Sequence, residues 1–207
     1  MSSSIKQIMQ QTRVIPVVVI DRIEDAVPLA TALVDGGLNV LEITLRTPVA
    51  IEAIIEMKKA LPQSIIGSGT VIDIKTMQAS LDAGVDFMVS PGTTSELLEA
   101  VAQNSAPLLP GASTPSEVMN LLSKGFDAMK FFPAIAAGGV NMLKSIGGPL
   151  PQVSFCPTGG INLNNAAEYL ALENVACIGG TWMLEQKLIA DNNWLEITRL
   201  AKQASQL

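Results

Sequence analysis

The chain has 207 residues, 48% hydrophobic and 15% charged, a balance that favours a packed globular protein over a disordered one. Its formal net charge is −6 and it contains no histidine. An acidic protein gains no counterion release from nucleic acid or from an anionic membrane, so neither partner is expected. The missing histidine excludes serine–histidine and cysteine–histidine catalysis and histidine-ligated metal sites.

The N-terminal segment, Met1–Arg13, is polar and amphipathic, which predicts a short N-terminal helix. The apolar run that follows, Val14–Ile20, is too short to span a bilayer and lacks the layout of a signal peptide. The two cysteines, Cys156 and Cys177, have no spacing that suggests a disulfide framework or a zinc site. We therefore expect a cytoplasmic protein with both cysteines packed as small core residues.

Short β-branched segments alternate with segments of helical periodicity along the chain. The predicted strands are Val14–Ile20, Val40–Leu45, Ser64–Ser68, Phe87–Ser90, Pro107–Leu109, Ala128–Phe132, Gln152–Pro157 and Ala176–Ile178. The predicted helices between them include Glu24–Asp35, Val49–Ala60, Ile74–Ala83, Ser95–Gln103, Pro115–Lys124 and Asn164–Leu170. Asp73 and Thr114 are expected to cap helix N-termini, and Gly36, Gly84 and Gly125 to end helices.

Strands joined by helical crossovers require parallel pairing. At about 25 residues for each strand–helix unit, the chain length fits a compact (β/α)8 barrel of the TIM type. No linker or low-complexity segment divides residues 1–207, so a single α/β domain is predicted. An open doubly wound sheet is the alternative, since periodicity alone does not count strands reliably.

Lys130 lies at the end of an apolar strand, where the residues of a barrel that carry function are placed. Alternation along the strand puts it on the same face as Ala128 and Phe132. An ammonium group among apolar neighbours loses hydration, which favours the neutral amine, a nucleophile toward carbonyl groups. The alternative is a structural lysine whose stem packs while its head reaches the rim or pairs with a buried acid.

Glu42 is a second charged residue inside an apolar strand, on the face of Val40 and Thr44. One interpretation is a structural ion pair with Arg46 or Lys130, because lone charges are rarely buried. The other is a general acid and base that moves protons at the substrate. The equivalent strand-end position of Lys130 favours the second interpretation.

Two further side chains could hold a carboxylate. Arg46 follows the Glu42 strand, and its planar guanidinium suits a carboxylate, although it could be an ordinary surface arginine. Thr70 follows a Gly-Ser-Gly turn and offers a hydroxyl group and nearby backbone amides to the same ligand. The glycine turn alone is a weak signal.

Double glycines follow the seventh and eighth predicted strands, where barrels usually bind phosphate on backbone amides. These are Gly159-Gly160, next to Thr158, and Gly179-Gly180, next to Thr181. Each pair alone is weak evidence, because tight turns also need glycine. Two pairs in consecutive units favour a phosphate site, which would let an acidic protein bind an anion without a basic patch.

Six strand-end segments together resemble a known family. They are Glu42–Thr47, Gly67–Val71, Ser90–Gly92, Lys130–Ala134, Cys156–Ile161 and Cys177–Trp182. In this order they closely resemble the bacterial 2-keto-3-deoxy-6-phosphogluconate (KDPG) aldolases, which also act as 4-hydroxy-2-oxoglutarate (KHG) aldolases. The resemblance runs from about Val14 to Trp182. It implies a class I aldolase of the Entner–Doudoroff pathway that uses no metal or other cofactor, on a small (β/α)8 barrel that is usually a homotrimer.

The resemblance also implies roles for individual residues. Lys130 would form the Schiff base and Glu42 would be the general acid and base. Arg46 and Thr70 would hold the pyruvyl carboxylate region of a phosphorylated keto acid.

Around that centre, Pro91 and Phe132 would shape the pocket and Thr158 would lie near the bound substrate. Gly159-Gly160 and Thr181 would take the phosphate.

The chain departs from the family pattern at two positions. Thr181 stands where serine is common, which keeps the hydroxyl group, and Ile135 stands where many relatives have an acid. Three alternative functions stay open. They are an aldolase for the galactonate epimer or a non-phosphorylated keto acid, a phosphosugar isomerase or epimerase with Lys130 in an electrostatic role, and a catalytically silent phosphometabolite-binding protein.

Overall fold

The computed structural model describes residues 4–104 and 107–207, in which strands and helices alternate. The strands are β1 Val14–Val18, β2 Val40–Thr44, β3 Ile65–Gly69, β4 Met88–Val89, β5 Leu108–Leu109, β6 Gly111–Ala112, β7 Ala128–Phe131, β8 Ser154–Pro157 and β9 Ile178–Gly180. The helices are α1 Ile5–Met9, α2 Ala26–Asp35, α3 Ala50–Ala60, α4 Ile74–Asp82, α5 Ser95–Asn104, α6 Pro115–Ser123, α7 Gly139–Gly147, α8 Ala166–Leu170, α9 Gln186–Ala190 and α10 Trp194–Ser205. A 3₁₀ turn, Ile23–Asp25, precedes α2.

The strands pair in parallel in two sheets, ordered β5-β4-β3-β2-β1-β9 and β6-β7-β8. Only Pro110, which has no N–H to donate, separates β5 from β6. Single parallel bridges, Phe155 with Val175 and Thr158 with Gly179, connect the β8 region to the β9 region. The predicted parallel α/β architecture is confirmed as a curled half-barrel, whereas the closed eight-stranded barrel stays a prediction.

Most predicted elements are present with shifted ends, and two strands differ in extent. The predicted strand Pro107–Leu109 continues beyond Pro110 as β6. The predicted strand Ala176–Ile178 is wrong at both ends, because β9 begins at Ile178 and extends through Gly180. Pairing with β1 sets this extent, since Ile15 lies opposite Gly179 and Pro16 opposite Gly180.

The predicted helix caps are confirmed. The Asp73 carboxylate accepts a hydrogen bond from the Thr76 backbone N–H at 2.7 Å, and Thr114 accepts one from Glu117 at 3.3 Å. The Glu117 carboxylate in turn accepts from the backbone N–H groups of Ser113 and Thr114, and its bonds to Ser113 lead the contacts that lower its pKa. Of the glycines expected to end helices, Gly84 and Gly125 have φ of +71° and +89°. Gly36 is the C-cap of α2 with φ of −78°, and the positive φ falls on the next residue, Gly37.

Two apolar clusters cover the two faces of the strands. The larger packs the helices against the outer face. The smaller lies on the inner face and includes Val40 from β2, Ala128 from β7 and the buried Ile8 and Met9 of α1. Two residues further along these strands, on the same face, stand Glu42 and Lys130, so the inner cluster forms the floor of the site.

In the part of the chain that the structure describes, no helix combines the length and the apolar character needed to cross a membrane.

Candidate active site

Lys130 and Glu42 form a buried ion pair across the inner face of the sheets. Lys130 Nζ lies 3.0 Å from Glu42 Oε1 and 3.3 Å from Oε2, and the two residues are 6% and 4% exposed. From the sequence, an ion pair was the structural alternative to a catalytic role for Glu42. The geometry unites the two interpretations, because a carboxylate at hydrogen-bond distance can also accept a proton from the ammonium group.

Glycines on the strands next to this pair allow close packing around it. Gly111 lies opposite Lys130 in the register of β6 and β7, and a side chain there would collide with the backbone of Pro91. Gly69, on β3, lies beneath the Glu42 side chain, whose carboxylate occupies the place of a β-carbon. The close approach of these strands and side chains therefore requires glycine at both positions.

Phe132, a predicted pocket residue, lies beside the lysine, and Pro91, another, lines a cavity with Phe132. Lys130 Nζ is 5.5 Å from the centroid of the Phe132 ring, within the range of a cation–π contact. Pro91 and Phe132 together line a cavity of about 60 Å³ that also borders Gly111. The structure therefore brings Pro91 and Phe132 together next to Gly111, the residue opposite Lys130 in the sheet register.

Arg46 and Thr70 contact each other just beyond β2 and β3. Arg46 is exposed, and its Nε donates to Thr70 Oγ1 at 3.4 Å. Thr70 has φ of +62°, an uncommon conformation for a β-branched residue. The observed contact joins the two residues that the sequence analysis assigned to one carboxylate.

The loops after β7 and β8 are hydrogen-bonded to each other. Ala134 N–H donates to the Thr158 carbonyl at 2.8 Å, and Ile135 N–H donates to the Gly159 carbonyl at 3.2 Å. The glycines of this loop, Gly159-Gly160, have φ of +110° and +77°, a region that side chains other than glycine rarely adopt. The half-exposed Ile135 side chain covers Gly160, the second glycine of this predicted phosphate loop.

The prediction that Gly179 and Gly180 form a loop after the last strand is wrong. Both are buried within β9, and close packing explains them, because a β-carbon at Gly179 would collide with Thr158 and one at Gly180 with the Trp182 ring. Thr181 follows β9 and is exposed. Among the residues predicted to bind phosphate, three lie at the rim, namely Gly159, Gly160 and Thr181.

Arg22 was not predicted from the sequence as a site residue, yet it lines a cavity of about 470 Å³ together with Thr181. Arg22 Nε and Nη2 each donate to the Asp25 carboxylate at 2.8 Å, and these hydrogen bonds raise the pKa of Arg22. Asp25 is buried. Arg22 follows the first predicted strand at the same rim as the other strand-end residues, but nothing in the sequence distinguishes it from a surface arginine.

The two cysteines lie in the inner cluster, as expected of small core residues. Cys156 is opposite Lys130 in the register of β7 and β8. A hydrogen bond with Cys156 and, as the next largest cause, burial raise the pKa of Cys177 well above its ordinary value, so its thiol stays protonated. Within residues 4–104 and 107–207, no three cysteine or carboxylate side chains are grouped to hold a metal ion.

A buried lysine paired with a carboxylate, on the inner face of a curled parallel sheet, is an arrangement typical of the active sites of α/β enzymes. Over residues 5–200 the sequence matches the family described as aldolase, KDPG and KHG aldolase. The chain belongs to the KDPG and KHG aldolase family, which confirms the resemblance seen in the sequence.

Curated proteins and solved structures agree with this assignment. The KHG/KDPG aldolase of Escherichia coli K12 is 45% identical over 202 residues, which cover 98% of this chain and 95% of that protein. The KDPG aldolase of Legionella pneumophila, crystallised with pyruvate captured at low pH as a covalent carbinolamine intermediate, is 48% identical. Its TM-score is 0.97, with 99% and 100% of the two chains covered. The aldolase of Zymomonas mobilis ZM4 with 3-phosphoglycerate is 44% identical, with a TM-score of 0.92 and coverage of 99% and 96%.

Proposed function

We propose that this protein is a class I aldolase, a carbon–carbon lyase that cleaves KDPG to pyruvate and glyceraldehyde 3-phosphate through a Schiff base on Lys130. The observation that carries the proposal is the buried Lys130 amine 3.0 Å from the Glu42 carboxylate. The family supports it, because its Legionella pneumophila member holds pyruvate as a covalent carbinolamine.

The first half of the reaction forms the imine. Glu42 accepts a proton from the Lys130 ammonium group, and the neutral amine attacks the C2 carbonyl of the substrate. A proton then passes from the attacking nitrogen to the C2 oxygen, which gives a neutral carbinolamine with a C2 hydroxyl group. Glu42 returns the proton to the C2 hydroxyl group, which leaves as water. The product is a protonated imine, whose positive charge can accept the electron pair of the bond that breaks next.

The second half breaks the C3–C4 bond. Glu42 removes the proton of the C4 hydroxyl group, a C4–O double bond forms, and the electron pair of the C3–C4 bond moves into the imine to give an enamine. Glyceraldehyde 3-phosphate leaves. Protonation of the enamine at C3 and hydrolysis of the imine then release pyruvate and the free lysine.

The substrate would lie across the rim of the site. Arg46 and Thr70 would bind the carboxylate of the pyruvyl end, supported by their mutual contact at 3.4 Å. Phe132 and Pro91 would form the wall beside the reacting carbons, with Thr158 next to the substrate. The residues of the predicted phosphate set that lie at the rim would bind the phosphate, namely Gly159, Gly160 and Thr181. The name of the Escherichia coli relative supports KHG, cleaved to pyruvate and glyoxylate, as a second substrate.

The same proposal includes the closed (β/α)8 barrel as one domain. Two observations support closure, the continuity of β5 and β6 across Pro110 and the parallel bridge between Thr158 and Gly179. The cytoplasmic location and the homotrimer stay predictions, from the sequence and from the family resemblance respectively.

A cleavage assay tests the activity. Purified protein is mixed with KDPG, its galactonate epimer or KHG, and pyruvate release is followed with a lactate dehydrogenase coupled reaction. We expect pyruvate from KDPG, with Lys130→Met as the inactive control. No pyruvate from any substrate would contradict the proposal, and faster release from the epimer would reassign the substrate.

A further inference from the structure

The Glu42 side chain leans along its strand and lies over Gly69. In the register of β2 and β3, Glu42 lies opposite Gly67, and Thr44 lies opposite Gly69. The carboxylate therefore reaches one inward-facing position further toward the rim than its own Cα. A β-carbon built on Gly69 would lie 2.8 Å from Glu42 Cγ and 2.9 Å from Cδ, and would collide with Oε1. Non-bonded carbon atoms prefer about 3.5–4.0 Å, so a side chain at 69 and this carboxylate cannot share the space.

The backbone at Gly69 does not itself require glycine. Gly69 is not among the glycines with positive φ, so alanine could adopt its conformation. The Gly69 carbonyl accepts a hydrogen bond from Leu45 N–H at 2.8 Å, which ties this peptide to β2. Just beyond, Val71 N–H donates to the Val89 carbonyl at 3.1 Å. Because hydrogen bonds on both sides hold the backbone, an added methyl group would displace the flexible end of Glu42 instead.

We propose that Gly69 is a positioning residue. Because it has no side chain, it leaves the space in which the Glu42 carboxylate lies next to Lys130. The inference rests on the proposed function, in which Glu42 carries protons to and from the Lys130 imine. The pair is buried, and its two nitrogen–oxygen distances are 3.0 and 3.3 Å. If the Glu42 carboxylate is displaced, its oxygens are no longer within hydrogen-bond distance of Lys130 Nζ, and proton transfer slows while the rest of the fold keeps its packing.

Gly67 provides a matched control on the same face of β3. A β-carbon at Gly67 would lie 2.5–2.6 Å from ring carbons of Phe87, which is fully buried. Gly67→Ala therefore adds the same methyl group to the same strand but strains the core at a ring that the chemistry does not use. The two variants separate an effect on Glu42 from a general effect of alanine in β3.

The experiment measures kcat and KM for KDPG, the rate of borohydride trapping with pyruvate, and urea unfolding for both variants. For Gly69→Ala we expect a cooperatively folded protein whose kcat falls by on the order of 100-fold, in the range of general acid–base catalysis, with KM little changed. Its rate of imine trapping should fall in parallel. For Gly67→Ala we expect a lower urea midpoint, with kcat close to the unsubstituted protein under conditions where it is folded.

A second pair of variants tests whether Gly69 acts through Glu42. Glu42→Asp shortens the side chain, so it should lower kcat in the original background. In the Gly69→Ala background it relieves the collision, so kcat should stay the same or rise. If Gly69→Ala does not fold, restoration of folding by Glu42→Asp, which shortens the side chain but keeps a carboxylate for the buried Lys130, upholds the steric coupling, and no restoration overturns it.

Two results separate this inference from the function on which it rests. Unchanged kcat and trapping rate in Gly69→Ala, or losses that simply add in the double variant, would overturn the positioning role while the aldolase assignment stands. No trapping of the unsubstituted protein by pyruvate and borohydride would overturn the aldolase assignment, and the positioning role with it.

Discussion

Lys130 and Glu42 are separated by 88 positions in the chain, yet the lysine ammonium donates to both oxygens of the carboxylate. Desolvation of two charges offsets much of their attraction, so a buried ion pair is a weak source of stability. Removal of one partner is costly, because it leaves the other charge buried alone. The placement of this pair is therefore better explained by chemistry than by folding, and its energetics are testable.

The stability of single and double variants separates the two explanations. Lys130→Met should lower the free energy of unfolding by about 3–5 kcal/mol, because Glu42 is left without a partner. Adding Glu42→Met should restore most of this loss while activity stays absent. Urea unfolding measures both effects. A double variant less stable than Lys130→Met would mean that the pair stabilises the fold.

Glu42→Gln tests the proton-transfer role with little change of shape. The amide cannot accept the proton of the lysine ammonium or of the C4 hydroxyl group, so imine formation should slow and kcat should fall by about 10²–10⁴-fold. Stopped-flow and steady-state kinetics measure the two steps. Turnover equal to that of the unsubstituted protein would refute Glu42 as the base.

Arg46→Lys tests the binding site of the pyruvyl carboxylate. Lysine keeps the charge but loses the planar pair of donors, at a cost of about 1.5–3 kcal/mol, or roughly 10- to 100-fold in KM. The increase should be similar for KDPG and KHG, since both substrates carry this carboxylate. The matched control is Arg199→Lys, since Arg199 is an exposed arginine of α10. It should change neither the KM for KDPG nor the KM for KHG.

Thr181→Val tests the opposite end of the substrate. Loss of the hydroxyl group should raise KM for KDPG by up to about tenfold, the value of one hydrogen bond, and leave KM for KHG unchanged because KHG carries no phosphate. Steady-state kinetics with the two substrates decide the matter. An equal change for both would place Thr181 outside the phosphate site.

Much of the α/β pattern could be predicted because periodicity and caps are local properties of the sequence. The cap residues Asp73 and Thr114 are hydrogen-bonded as expected. The end of β9 could not be predicted, because glycine usually marks turns, whereas Gly179 and Gly180 are in the sheet to allow close contact with Thr158 and Trp182. The contact between Gly179 and Thr158 joins two different strand ends, which local sequence patterns do not show.

The site was predictable to a similar degree. Lys130 and Glu42 stand out because charged residues inside apolar strands are rare. Gly69 has no such signal, because its importance lies in the atoms of Glu42 that fill its space. The loop after β1 was overlooked because Arg22 resembles a surface arginine until its pairing with the buried Asp25 is seen.

Reductive trapping shows which lysine forms the Schiff base with pyruvate. The protein is incubated with pyruvate and borohydride, digested, and mapped by mass spectrometry, with Lys130→Met treated in parallel. We expect a reduced pyruvyl group on Lys130 of the unsubstituted protein, loss of activity in step with its formation, and no adduct in the variant. A protein that stays unmodified and active, or an adduct on another lysine, would rule out Lys130 as the residue that forms the Schiff base.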